Sequence, residues 1–241
     1  MSRIIVAFLF SVLFLSCDDF GQNTLYGDEK PEIKVVSKMK DVMWDGKLYG
    51  KIRLDTIQNR EGLYGIGPLA YLSGEITILD GRIYVSKVTN DGNMQVFEDA
   101  EVEAPFFVYS NVTQWKQSPL PEEVRSMDDI EQFLNLKAAE SKLPFAFKVK
   151  GNVSTATIHV QNLPEGATVS SPKEAHQGQV KYSVQNQDVE LIGFFSRYHE
   201  GIFTHHDTYI HVHLITADRT MMGHVDELMF DEGQVILYVP D

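Results

Sequence analysis

From about residue 33 onward the chain alternates short apolar runs with turn-forming residues, as strands joined by tight turns do. The clearest instance is Glu75-Ile-Thr-Ile-Leu, then Asp80-Gly81, then Arg82-Ile-Tyr-Val-Ser. Asp-Gly supplies positive φ at both central positions, so this stretch predicts a hairpin on a type I′ turn. Residues 106–112 and 145–149 read as further strands. Between them Ser126 and Asp129 make a capping box, and Met127, Ile130, Phe133 and Leu134 fall on one helical face. The last third is richest in strands, at 180–184, 189–195, 209–216, 224–230 and 235–239, and short connections between consecutive strands imply antiparallel pairing. The expected fold is therefore α+β in two sheet-containing halves, a mixed sheet first and an antiparallel sheet second, with a sub-boundary near residue 145.

The N-terminus follows a different pattern. Arg3 precedes an unbroken apolar run over 4–15 that stops at Ser16-Cys17. Twelve residues fall short of the roughly 20 that a spanning helix needs, so 1–16 read as a signal peptide. A small residue followed by cysteine resembles the lipobox of bacterial lipoproteins, in which the cysteine is lipidated. Cys17 is the single cysteine of the chain and has no internal disulfide partner, which fits attachment. Residues 17–31 read as a polar tether and 32–241 as the folded domain. The expected location is outside the cytoplasm, on a bacterial membrane, through the lipid anchor alone.

Charge sharpens this picture. Against 34 acidic residues stand 21 basic ones, for a net charge of −13 over 241 residues. Such a chain is a poor partner for nucleic acid or for anionic lipid headgroups. A homodimer is left open.

The candidate chemistry lies in the histidines, six of which fall between 199 and 224. His211 and His213 are two apart on a predicted strand, so both imidazoles leave the same face while Ile210, Val212 and Leu214 leave the other. His224 opens the next strand and can return to that face. Three imidazoles converging from two adjacent strands suit a catalytic zinc site, which keeps coordination positions open. His205 and His206 fall in the preceding loop, where a solvated or supporting role is expected in place of direct ligation.

The stretch 192–225 (IGFFSRYHEGIFTHHDTYIHVHLITADRTMMGHV) resembles the α-acetolactate decarboxylases, whose signature contains H-x-H-x-I-x-x-D-R, a short turn and G-G-H-V. The resemblance continues upstream, in order, through 43–54 (MWDGKLYGKIRL), 62–84 (GLYGIGPLAYLSGEITILDGRIY), 104–108 (APFFV) and 145–151 (FAFKVKG). It implies zinc-dependent decarboxylation of 2-hydroxy-2-methyl-3-oxobutanoate (2-acetolactate), a small anionic 2-hydroxy-3-oxo acid, to acetoin and carbon dioxide. The implied zinc ligands are His211, His213 and His224, and the implied active-site glutamate is Glu75. As a proton donor Glu75 needs a raised pKa, which burial can supply. Lys148 stands where the family has an active-site arginine, keeping the charge but not the two-pronged grip on a carboxylate.

Other departures are Pro68 for a threonine, Ser73 for an aspartate, and no counterpart of a second glutamate beyond the last strand. Asp218 and Arg219 are expected to form an ion pair or to brace the turn. Two alternatives stay open: a zinc hydrolase using bound hydroxide, and a weakened or inactive lipoprotein relative that binds metal or a small ligand.

Overall fold

The computed structural model describes residues 31–138, 144–205 and 207–241. The expected signal peptide, the tether up to residue 30 and Cys17 lie outside the described residues. In chain order the elements are β1 (Lys34–Val36), α1 (Met39–Met43), β2 (Ile52–Arg53), β3 (Leu63–Pro68), β4 (Glu75–Leu79), β5 (Arg82–Val88), β6 (Met94–Glu98), β7 (Glu103–Ala104), β8 (Phe107–Asn111) and β9 (Trp115–Pro119). Then follow α2 (Met127–Lys137), β10 (Phe145–Val160), α3 (Pro172–Ala175), β11 (Val180–Phe195), β12 (Ile210–Thr216), β13 (Met222–Phe230) and β14 (Ile236–Pro240). The protein is thus mostly sheet with few helices, none of which, among the described residues, is long and apolar enough to cross a membrane.

Two six-stranded sheets carry the fold, in the orders β1-β8-β3-β4-β5-β6 and β11-β12-β13-β10-β14-β9. Every pairing in the first is antiparallel, so the mixed sheet expected there is corrected. Strands β3 to β6 follow one another through short connections, whereas β8 returns across the sheet to pair between β3 and β1. The sub-boundary near 145 is also displaced, because β9 already belongs to the second sheet. The chain changes sheet between residues 111 and 115.

The predicted hairpin forms as written. Asp80 and Gly81 have φ of 50° and 81°, and a Cβ on Gly81 would meet the Arg60 carbonyl oxygen at 2.5 Å. The capping box at Ser126 is complete, and α2 buries Ile130 and Leu134 against the second sheet.

The segments 180–184 and 189–195, read as two strands, are one strand of 16 residues. Gln185-Asn186-Gln187 imitates a turn because Asn186 sits at φ 51°, yet pairing with β10 resumes on both sides. Strand β10, equally long, pairs with β11 along one edge. Its other edge is shared by β14 at Lys148–Lys150 and β13 at Val153–His159, with register shifts on the β13 side. Those irregularities bend the strand. Since β11 pairs with β12 and β12 with β13, the four strands β10 to β13 close on themselves.

The sheets meet face to face through Tyr64, Ile66 and Val108 on one side and Ile192, Phe194, Ile215 and Met222 on the other. Strand β12 is buried along its whole length, so alternation decides what each face meets. Val212 and Leu214 enter the core beneath α2, whereas His211 and His213 turn towards the first sheet.

Candidate metal centre and active site

The site forms where β12 and β13 face β4. Alternation on β4 sends Ile76 and Ile78 into the core of the first sheet and leaves Glu75 and Thr77 for the second. Thr77 Oγ1 lies 3.0 Å from His213 Nδ1, and Glu75 Oε2 lies 3.7 Å from His213 Nε2. Because His213 and His224 are directly opposite in the β12–β13 ladder, their rings stand 5.8 Å apart, with His211 5.3 Å from His213 and 5.1 Å from His224. The structure thus brings these three rings close together.

Two further histidines join them. His205 comes from the loop before β12, and its Nε2 lies 3.2 Å from His224 Nε2. His205, expected in a solvated or supporting role, lies within reach of direct ligation: His205, His211 and His224 each offer a nitrogen within 4.8 Å of the others, a set that does not include His213. The loop is held locally, since Ile202, Phe203 and Thr204 donate backbone N–H groups to the His199 carbonyl, and the His199 ring is anchored on Ser196 Oγ at 2.7 Å. Phe203 is fully buried against Phe194 and fixes the loop against the sheet. The adjacent His-His pair before the strand was the one sequence signal for His205.

The second addition, His159, escaped the sequence reading because it is a lone histidine on a long strand. Only the β10–β13 register places it opposite His224, on which its ring stacks at 4.6 Å. His159 Nδ1 lies 2.6 Å from Asp226 Oδ1, and His159, His224 and Asp226 form a second set of potential ligand atoms within 4.8 Å.

Burial sets the electrostatics. It pushes Glu75 up to about 8, against one N–H donated by Gln161 at 3.2 Å, so the carboxyl is largely protonated at neutral pH. The same desolvation drives His213 down to about 3 and holds His211 and His224 well below the usual imidazole range, helped by their mutual proximity. Neutral imidazoles are the form that binds metal. His211 Nδ1, His213 Nε2 and His224 Nδ1 are buried with no hydrogen-bond partner, an arrangement that costs free energy unless something else satisfies those atoms. Such buried, unpartnered imidazoles fit a metal ion, and His211 and His224 already belong to a set of potential ligand atoms within 4.8 Å of one another.

Met39 and Met43 of α1, Pro68, Leu72 and Phe106 wall a narrow cavity of about 20 Å³ beside Glu75, His211 and His224. Past His159, His176 and His205 lies a cleft of about 520 Å³ that also reaches His224 and gives the cluster an open side.

Lys148 does not join the site. It lies eleven residues before His159 on β10, about 36 Å along a fully extended strand. It lines a separate cleft with Tyr64, Asp80, Tyr84 and Arg219. Alignment of a motif fixes a residue's place in the chain, but the long bent strand carries this one away from the imidazoles. Asp218 and Arg219 both act as turn braces, Arg219 through the Thr216 carbonyl, and they do not pair with each other. Asp218 acts through Thr216 and Thr220, whereas Arg219 pairs with Glu190 at 2.6 Å.

Comparisons with known proteins agree with this architecture. An alpha-acetolactate decarboxylase from Methanosarcina mazei is 28% identical over 180 residues, 73% of this chain but only 59% of that relative's length. One from Brevibacillus brevis is 23% identical over 86% of this chain and 73% of its own. Among solved structures, the alpha-acetolactate decarboxylase of Bacillus subtilis strain 168 superposes with a TM-score of 0.69 at 23% identity, covering 87% of this chain and 85% of that one. A Staphylococcus aureus protein described as similar to alpha-acetolactate decarboxylase gives 0.72 at 19%, covering 86% and 84%. The sequence profile of the family described as alpha-acetolactate decarboxylase matches residues 36–239, and the chain belongs to that family.

Proposed function

We propose that the protein decarboxylates 2-acetolactate to acetoin with zinc held by His211, His213 and His224. The single observation that carries this reading is a buried carboxyl, Glu75, within 3.7 Å of an unpartnered imidazole nitrogen of His213. Decarboxylation breaks the bond between C2 and the carboxylate, carbon dioxide leaves, and the electron pair passes into the adjacent ketone. A proton must then be returned to C2. Glu75 is the donor, and its burial keeps the proton on the acid until that moment.

A zinc ion on these imidazoles would act as a Lewis acid towards the ketone and hydroxyl oxygens of the substrate. Thr77 fixes the His213 ring by its hydrogen bond at Nδ1, the orienting contact typical of metal-binding imidazoles, and leaves Nε2 available. The methionine and phenylalanine walls exclude water from the acid. The 520 Å³ cleft is the route by which a small anion enters.

Export and anchoring through Cys17 belong to the same proposal and rest on the lipobox resemblance. The experiment is direct: zinc-loaded protein lacking residues 1–17 is incubated with racemic 2-acetolactate, and acetoin is measured. Acetoin formation above the spontaneous rate supports the activity. Its absence in a folded, zinc-replete sample rejects it in favour of an inactive metal-binding relative.

A further inference from the structure

The cleft around Lys148 is the strongest feature that the proposed reaction leaves unused. It has a volume of about 370 Å³ and lies where the β4–β5 hairpin meets β10, β11 and the β12–β13 turn. Its lining residues include none of the histidines. Lys148 is 8% exposed, and its Nζ donates one hydrogen bond, to Tyr64 Oη at 3.2 Å. The ammonium lies 4.4 Å from the Trp115 ring centroid, 4.7 Å from that of Tyr64 and 5.1 Å from that of Tyr238. An ammonium has three donors, and ring faces stabilise its charge without accepting classical hydrogen bonds at full strength.

The neighbouring charges leave Lys148 as the open cation. Glu190 is engaged by Lys150 at 2.8 Å and by Arg219 at 2.6 Å. Arg82 adds a further positive group at the rim, facing Glu98 at 3.7 Å, and Asp80 is the other acid lining the cleft. Four cations against two acids make a locally positive wall on a chain whose overall charge is −13. Leu79, Tyr64 and Tyr84 supply apolar surface beside it.

We propose that this cleft is a second binding site, distinct from the imidazole cluster, that takes a small organic carboxylate with its anionic head on Lys148 and its apolar part against Tyr64, Tyr84 and Leu79. A buried ammonium with spare donors gains most from an anion, because a charge-assisted hydrogen bond replaces the solvation it has lost. Burial also lowers Lys148 to about 8, so at pH 7 the ammonium form that such a ligand requires still predominates.

Trp115 provides the readout. The chain has two tryptophans, and Trp44→Phe leaves Trp115 as the single reporter beside Lys148. Butanoate is titrated into this variant at pH 7, with butanamide as its uncharged counterpart and sulfate as a bare anion. The expected result is a saturable fluorescence change with butanoate and none with butanamide. Lys148→Met should weaken it by roughly tenfold or more, the worth of one charge-assisted hydrogen bond, whereas Lys148→Arg should retain it. Binding should also survive His211→Ala, which separates this site from the imidazole cluster. The proposal is overturned if butanoate gives no saturable change, if Lys148→Met titrates like its parent, if sulfate matches butanoate (an adventitious ion only), or if His211→Ala abolishes binding. Near-ultraviolet circular dichroism of both Lys148 variants establishes that each is folded, and Lys148→Arg carries the test if Lys148→Met is not.

Discussion

His205 Nε2 and His224 Nε2 lie 3.2 Å apart, although one comes from a loop and the other from a strand nineteen residues later. Two imidazole lone pairs cannot face each other at that distance. Either one ring donates a proton to the other or a cation lies between them. The contact makes His205 a neighbour of the proposed zinc site and allows its contribution to be separated from that of His213.

His211→Ala, His213→Ala and His224→Ala should each remove about one zinc per chain, measured by plasma mass spectrometry after dialysis, because three imidazoles are the least that hold such an ion. His205→Ala should keep the ion with affinity reduced roughly tenfold to a hundredfold, as loss of a supporting contact does. The reverse pattern, metal kept by His213→Ala and lost by His205→Ala, would replace His213 with His205 in the ligand set.

Glu75→Gln should retain zinc and lose roughly 10²- to 10⁴-fold in kcat, the usual worth of a positioned general acid. The amide keeps the shape and the contact with the Gln161 N–H but has no proton to give. Turnover close to that of the unaltered protein reduces Glu75 to a structural residue.

Glu75 also leaves a signature in metal-free stability. Its folded pKa of about 8 lies above the ordinary 4.5, so its contribution is complete below pH 4.5 and is lost as pH rises towards 8. The buried histidines act in the opposite sense, with His213 at about 3 against an ordinary 6.5, so their contribution is complete above 6.5 and is lost as pH falls. Between pH 6.5 and 8 the Glu75 slope therefore stands apart, with an upper limit of about 1.4 kcal/mol per pH unit. Urea unfolding in chelator should show stability falling across this window, and Glu75→Gln should flatten it. An unchanged slope in that variant removes the raised pKa.

Gly193 on β11 is opposite Phe147 on β10, and a Cβ there would lie 2.3 Å from the fully buried ring. Gly193→Ala should destabilise by about 1–3 kcal/mol, the cost of overpacking. Adding Phe147→Leu should recover part of the loss, since the two sites share one space. Additive effects of the two changes in urea unfolding contradict the proposed clash.

Cys17→Ser should abolish incorporation of labelled palmitate in a bacterial host and leave the precursor uncleaved. Absence of label in the unaltered protein removes the lipid anchor.

Local rules in the sequence determined the elements whose geometry is settled by neighbouring residues. Asp80-Gly81 required a type I′ turn, Ser126 and Asp129 required a helix start, and the two-residue spacing of His211 and His213 required one face of one strand. Ordered motifs along the chain carry its family resemblance. Pairing was decided by tertiary structure. Whether β11 was one long strand or two short ones, and how far β10 ran beyond residue 149, depended on bulges that no propensity reports, because a residue such as Asn186 in the left-handed region can end a strand or bend it. His159 reached the site through its register with His224, Lys148 left the site for the same reason, and His205 arrived through a loop tied to the Phe203 core contact. Side-chain direction along one strand is a property of the backbone, whereas the partner facing it is a property of the whole fold. The high pKa of Glu75 belongs to that second class, since desolvation comes from residues far away in sequence.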